Sequence, residues 1–320
     1  MARADLVGTS TEVVVRTTTF ASMGNTAHIV VVGADDAVPK LLNRGQTLAA
    51  SLEANWSRFV PTSDIARLNT SRGRSVPISA ATEVLIRHLV SAFEVTEGLF
   101  DPFVLPALVK AGYRTSLAGD GRTSCVAPSG APTPSASDVV LESIDGATWC
   151  RLLGGATLDA GGLGKGLAAD IIAERLMLEG AKGVLVSMGG DIRCIGESPD
   201  PAGWVIDIET LAHPALGTPT VILRSGAIAS SSTHAKRWHG GHHIIDPTTG
   251  EPLDERSAHA LRMSSVIAST AVWAEVFATA TLVAGADTAG LIIEARGLAG
   301  RFERTDGHVL ATPGFARYAP

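Results

Sequence analysis

Cysteine is scarce in this 320-residue chain: Cys125, Cys150 and Cys194 are odd in number and show no C-x-x-C spacing. That excludes a disulfide framework and a cysteine zinc site, and leaves three reduced, inert thiols as the expectation. Basic charge is not in excess either. With 26 Lys and Arg against 32 Asp and Glu the net charge is −6, so no basic stripe is on offer to a nucleic acid. Long apolar runs are missing too: the most apolar region, 276–286, is too short to span a bilayer and is bracketed by Glu275 and Asp287. Residues 1–20 hold no apolar stretch of signal-peptide length and no cysteine behind small residues, so the expected location is cytoplasmic, without stable membrane insertion. Nothing repeats at a solenoid period. What remains is a chain with 45% apolar residues, enough to bury a substantial core as one domain over 1–320 or as two intimate lobes.

The usual nucleotide fingerprints are absent as well. There is neither a G-x-G-x-x-G with an acidic residue at the right distance nor a G-x-x-x-x-G-K-[ST], which excludes a Rossmann or P-loop reading. In their place stands TLDAGGLGKGLAADIIAERLMLEGAKGVLVSMGGDIR at 157–193. Asp159 reads as the end of a short apolar strand, and Gly161, Gly162, Gly164 and Gly166 let backbone approach a ligand before a helix over 166–179. Leu167, Ile171, Ile172, Leu176 and Met177 fit its apolar stripe. The free N–H groups at such a helix start favour an anionic group, although four glycines in one turn also serve as ordinary loop chemistry.

Two further segments keep it company. HHIIDPTTGEP at 242–252 puts His242, His243 and Asp246 on a short apolar strand entering a Pro/Gly turn. AEVFATATLVAG at 274–285 reads as a helix with Glu275 and Thr279 four residues apart on one face. A carboxylate beside a hydroxyl is a pair of hard oxygen ligands suited to Mg²⁺, and equally a solvated helix edge.

Together these segments resemble the ApbE family, the FAD:protein FMN transferases. The family pattern D-x-G-x-x-A-K-G-x-x-x-D falls on Asp159 to Asp170, and G-G-D-I falls on Gly189-Gly190-Asp191-Ile192. H-x-I-D-P-x-T-G falls on His243 to Gly250, and A-D-x-x-A-T on Ala274 to Thr279. Weaker matches lie at 22–31, 56–69 and 98–109, and the order agrees from about residue 20 to 295. The resemblance implies an enzyme that cleaves the diphosphate of FAD with Mg²⁺, attaches the FMN half to a threonine or serine hydroxyl of an acceptor protein, and releases AMP. It implies Glu275, Thr279 and the Gly164 carbonyl as metal ligands, and His243 as the base for the acceptor hydroxyl, with His242 as runner-up. An imidazole of unperturbed pKa near about 6.5 suits that task. Asp159, Lys165, Gly189 and Gly190 would line the FAD phosphates and adenosine, Met23 and Phe59 the isoalloxazine end, and Asp246 would also belong to the cofactor-binding set.

The chain departs from the pattern in four places. Glu275 stands for the usual Asp and reaches one methylene further, and Gly164 stands for Ala. Phe103 and Leu105 stand where Thr and Gly are common, and Ser230, Ser231 and Ser232 replace a Thr-Ser-Gly run. Two other readings therefore stay open: an FAD pyrophosphatase with water as nucleophile, and a flavin-binding or flavin-storage protein without turnover.

For the fold, the patterns predict a hairpin from 12–20 and 26–33 and helices over 38–56, 79–97, 271–284 and 287–296. Further strands are predicted near 147–153, 183–188, 203–209, 219–224 and 263–268. Residues 115–138 are rich in Gly, Ser, Thr and Pro and read as a flexible insert. The expected class is α+β: a mixed sheet core flanked by helices, of the ApbE-like, T-fold-related architecture.

Overall fold

In the computed structural model, residues 12–116, 119–124, 126, 134–211, 217–238 and 241–320 are described. Eight strands form one sheet and lie side by side in chain order: β1 (Val13–Ser22), β2 (Asn25–Ala34), β3 (Gly183–Met188), β4 (Asp191–Gly196), β5 (Gly226–Ser232), β6 (Leu261–Ala268), β7 (Ala299–Arg304) and β8 (Val309–Ala311). The α+β expectation holds, and within it every pairing of this sheet is antiparallel. The β1–β2 hairpin closes through Met23 and Gly24, both at positive φ (50° and 70°). Such a pair matches the right-handed twist of the strands; glycine adopts it freely, whereas Met23 is held there at a cost. Glu53 Oε2 accepts from Met23 N at 2.9 Å, and Asn25 Nδ2 donates to the Met23 carbonyl at 3.0 Å.

Alternation along the strands divides the core into two layers. Ile29 and Val31 of β2, Val184 and Val186 of β3 and Ala227 of β5 face the helices. Val32, Leu185, Ile228 and Ile267 face the other way, under a ribbon formed by Trp204–Asp207 and Thr220–Leu223. Each fully buried aliphatic side chain of this kind contributes about 1.5–3 kcal/mol.

The helical layer is inserted between β2 and β3 and again between β6 and β7. The first insertion brings α1 (Val38–Trp56), α2 (Asp64–Thr70), α3 (Ala80–Val95), α4 (Leu105–Lys110) and α5 (Gly164–Leu178); the second brings α6 (Ala271–Ala284) and α7 (Ala286–Glu294). Helix α6 is apolar nearly all round and is accordingly buried, with Val272, Ala274, Val276, Phe277 and Ala280 all inside. It crosses α5 closely because Gly166 has no side chain: a Cβ there would stand 2.4 Å from the Ala271 carbonyl oxygen. Asp170 of α5 caps the start of α6, accepting from Ala271 N and Val272 N at 2.9 Å each. Burial pushes Asp170 up to about 6, against the pull of those two N–H groups and of Arg193. Part of the insert at 115–138, with Cys125, lies outside the described residues; within it Thr115 bridges Thr123, and Ala136–Asp138 form a 3-10 turn. Cys150 and Cys194 are buried free thiols that burial pushes up to about 12.

Candidate functional site

The main sheet opens where β5 parts from β4. Their register runs only from Gly226–Cys194 to Ile228–Ile192, whereas β5 stays paired with β6 out to Ser232. Ser230, Ser231 and Ser232 therefore border a cleft of about 260 Å³, with the Gly189 turn, the 159–165 turn and α6 around them. Of the residues singled out in the sequence, Met23, Phe59, Asp159, Gly164, Lys165, Gly189, His243, Glu275 and Thr279 all line it. Gly190 and Asp246 do not. Gly190, at φ 96°, serves the β3–β4 turn. The Asp246 carboxylate accepts from Thr248 N at 2.8 Å, within its own turn.

One wall is built from α5 and α6. The Lys165 ammonium sits between Asp191 and Glu275, bonded to both. Glu275 also accepts from Gly166 N at 2.7 Å, so the carboxylate holds the start of α5 as well as the lysine. Burial alone would lower the Lys165 pKa, but the two carboxylates outweigh it and hold the group charged. Burial and the adjacent Asp191 push Glu275 above the usual carboxylate range, against the pull of Lys165 and Gly166. One turn along α6, Thr279 Oγ1 lies 2.9 Å from Ser231 Oγ.

Among the described residues no three His, Cys, Asp or Glu side chains are grouped to hold a metal. On α6 the Glu275 carboxylate stands one turn before the Thr279 hydroxyl, with the Ser231 hydroxyl beside it. That donor set fits Mg²⁺, which commonly takes one or two protein carboxylates and completes its shell with phosphate and water. Gly164 is the first residue of α5, so its carbonyl is directed along the helix. Gly162 is nearer the hydroxyl: a Cβ on it would stand 3.8 Å from Thr279 Oγ1.

The opposite wall is aromatic and cationic. Arg58, at 8% exposure, lies over the rings of Phe59 and Tyr113, 4.3 and 4.5 Å from their centres, and Tyr113 stacks on Trp238 at 5.5 Å. Arg58 Nη2 donates to the Tyr113 carbonyl at 3.1 Å, and its Nε lies 3.0 Å from Asp159 Oδ2 without being aligned as a hydrogen bond. Asp159 Oδ1 accepts from Gly161 N at 2.6 Å. The strand expected to end at Asp159 does not form. The Asn69 side chain takes the place of a strand partner instead, bonding both Leu158 N and the Leu158 carbonyl at 2.8 Å.

The two histidines differ. His242 is buried, and both ring nitrogens are engaged, Nε2 with the Leu253 carbonyl at 3.2 Å and Nδ1 with Ile244 N at 3.3 Å. His243 reaches the cleft with a buried Nδ1 that has no partner. Its pKa is not near the free value: burial, then Lys236 and Lys165, push it down to about 3, so the imidazole is neutral throughout the physiological range.

Sequence reasoning missed Arg58, Tyr113 and Lys236. Lys236 follows the Ser230–Ser232 run, and that adjacency is the only local signal for it. Asp101 was also missed; it lines the cleft, and burial pushes it up to about 6.

The ApbE family profile matches residues 23–302. Among curated proteins, the FAD:protein FMN transferase of Chlamydia trachomatis serovar D is 28% identical over 232 residues, covering 71% of this chain and 69% of that protein. The FAD:protein FMN transferase of Salmonella typhimurium is 27% identical over 296 residues, covering 87% and 81%. Among solved structures, the apo flavinyl transferase ApbE of Pseudomonas stutzeri superposes with a TM-score of 0.77 at 23% identity, covering 96% of this chain and 97% of that one. The ApbE protein of Thermotoga maritima gives 0.81 at 21% identity over 96% and 99%. At such identities the superpositions speak for the fold.

Proposed function

The chain belongs to the ApbE family and, like its curated relatives, moves flavin from FAD onto protein; we propose that it does so with Mg²⁺, joining FMN to a threonine or serine hydroxyl of the acceptor and releasing AMP. The observation that carries this reading is the meeting of Glu275, Thr279, Lys165 and His243 around one cleft that ends at a helix N-terminus.

The bond that forms joins the acceptor oxygen to the FMN phosphorus, and the bond that breaks joins that phosphorus to the AMP oxygen, which leaves with the electron pair. His243 takes the proton of the attacking hydroxyl at its free Nδ1. Its low basicity comes first from burial and then from the charges of Lys236 and Lys165. A diphosphate beside Lys165 and Lys236 offsets the two charges that depress it. The N–H groups at the start of α5 and the Lys165 ammonium meet the phosphate oxygens. Glu275, Thr279 and, by the family pattern, the Gly164 carbonyl would hold Mg²⁺. The ion supplies charge neutralisation on the nonbridging oxygens. Phe59, with Met23, would border the isoalloxazine ring.

The test is to incubate the protein with FAD and Mg²⁺, with and without an acceptor domain carrying a reactive threonine. AMP release tied to covalent fluorescence on the acceptor supports the reading. Acceptor-independent release of AMP and free FMN would establish the hydrolase instead.

A further inference from the structure

Among the described residues four cations line the cleft, and they differ in how they are balanced. Arg122 lies 3.6 Å from the carboxylate of Asp120. Lys165 has two carboxylates. Arg58 has Asp159 beside Nε and a carbonyl on Nη2, yet its Nη1 is buried without a partner. Lys236 lines the same cleft with its Nζ 6.0 Å from the Tyr113 ring centre, and among the described residues it forms no ion pair and donates no side-chain hydrogen bond. Arg58 and Lys236 thus both lie against one aromatic ring, Tyr113; the Arg58 Nη1 is buried without a partner, and the half-buried Lys236 ammonium has no protein acceptor among the described residues.

A nine-tenths buried guanidinium donor is costly to leave unpaired, and the cost disappears when an anion supplies the missing acceptor; the half-buried ammonium beside it would exchange water for the same anion. Burial and the charge of Lys165 hold Lys236 below the ordinary lysine value, as expected of a cation with no counter-ion of its own. Asp159 and Glu275 act on it only at a distance, because each is engaged elsewhere.

We propose that Lys236 and the free Nη1 of Arg58 form an anion clamp on the aromatic wall of the cleft that grips the diphosphate of the dinucleotide substrate, across from Lys165. The inference rests on FAD as the substrate. Lys236 provides a point charge, and the planar Arg58, already fixed between two rings, provides a directed donor.

Flavin fluorescence titrations with FAD and with riboflavin, which carries no phosphate, separate the clamp from general flavin binding. In the wild-type protein FAD affinity falls with added salt while riboflavin affinity does not. In Lys236→Met, FAD binds about 10- to 100-fold more weakly, riboflavin binds as before, and Lys236→Arg recovers most of the loss. Equal weakening of both flavins, or FAD affinity unchanged in Lys236→Met, overturns the clamp. The wild-type salt dependence decides the matter even where Lys236→Met fails to fold: FAD binding indifferent to salt contradicts the proposal. A wild-type protein that binds neither flavin overturns the transferase reading as well. FAD bound in a Lys236-dependent way with no transfer to any acceptor leaves the clamp standing without that reading.

Discussion

The two walls of the cleft are built on different terms. On the α5–α6 wall nearly every polar group has found a partner inside the protein: Lys165 with Asp191 and Glu275, Glu275 with Gly166 N, Asp170 with the first turn of α6. On the aromatic wall several groups stay open: Arg58 Nη1 and His243 Nδ1 are buried and unpartnered, and among the described residues Lys236 forms no ion pair. A buried polar group without a partner destabilises a fold, so a fold that keeps several together on one side of a cleft keeps them for a ligand. The satisfied wall holds its own charges in place and, under the proposed mechanism, presents Glu275, Thr279 and Lys165 to metal and phosphate; the other wall keeps donors and an acceptor free for the ligand.

That division can be broken or sharpened by substitution. The largest effect is expected at Glu275, where Ala removes the carboxylate that holds both Lys165 and the start of α5. AMP release should fall by at least about 10³-fold, while Glu275→Asp keeps turnover. Equal turnover in all three proteins would end its assignment as a metal ligand. On the other wall, His243→Gln should lower kcat by about 10²- to 10⁴-fold with KM for FAD little changed, measured under acceptor saturation. A change confined to KM would make His243 a binding residue.

Gly166→Ala tests whether the first wall depends on close helix packing. The added Cβ meets the Ala271 carbonyl, and urea unfolding should report a loss of about 1–3 kcal/mol. An unchanged midpoint would mean that α5 and α6 separate freely. The smallest effect concerns Asp101. Its folded pKa is raised, from 3.8 to about 6, so the folded state holds the proton more tightly than the unfolded chain. Stability is therefore fully present below pH 4 and declines as pH rises from there through about 6. Asp101→Asn should raise ligand-free stability by about 1–3 kcal/mol at pH 8 and leave it unchanged at pH 3. A gain that is the same at both values would show that charge is not the cause.

The same division governs what could be read in the sequence. The satisfied wall is local in the chain: glycine turn, lysine and amphipathic helix follow one another over 157–178, so α5 was legible to within two residues, and α6 was placed as it stands. The hairpin β1–β2 and the helices α1 and α3 were legible for the same reason, since their apolar periods are regular. Strands β4, β5 and β7 were not. β5 (GAIASSS) is made of small and hydroxyl residues, and β7 (AGRFER) carries Arg301 and Glu303, which look like surface residues. In the fold those two are buried and pair with each other at 2.5 Å, with Arg262 and Thr210 alongside. Tertiary charge pairing of that kind leaves no periodic trace. The aromatic wall was hidden by distance instead: Arg58, Tyr113 and Lys236 come from three separate loops and gain meaning only where they stack. The pKa of His243 was out of reach on the same ground, because burial in the assembled cleft and then the charges of Lys236 and Lys165 depress it.

The most direct test of the account is the intact mass of a threonine-bearing acceptor domain after incubation with FAD, Mg²⁺ and either the wild-type protein or Glu275→Ala. The account predicts that the acceptor gains one FMN, through a phosphodiester, with the wild type alone, in step with AMP released. An acceptor of unchanged mass beside FAD fully converted to FMN and AMP would contradict it.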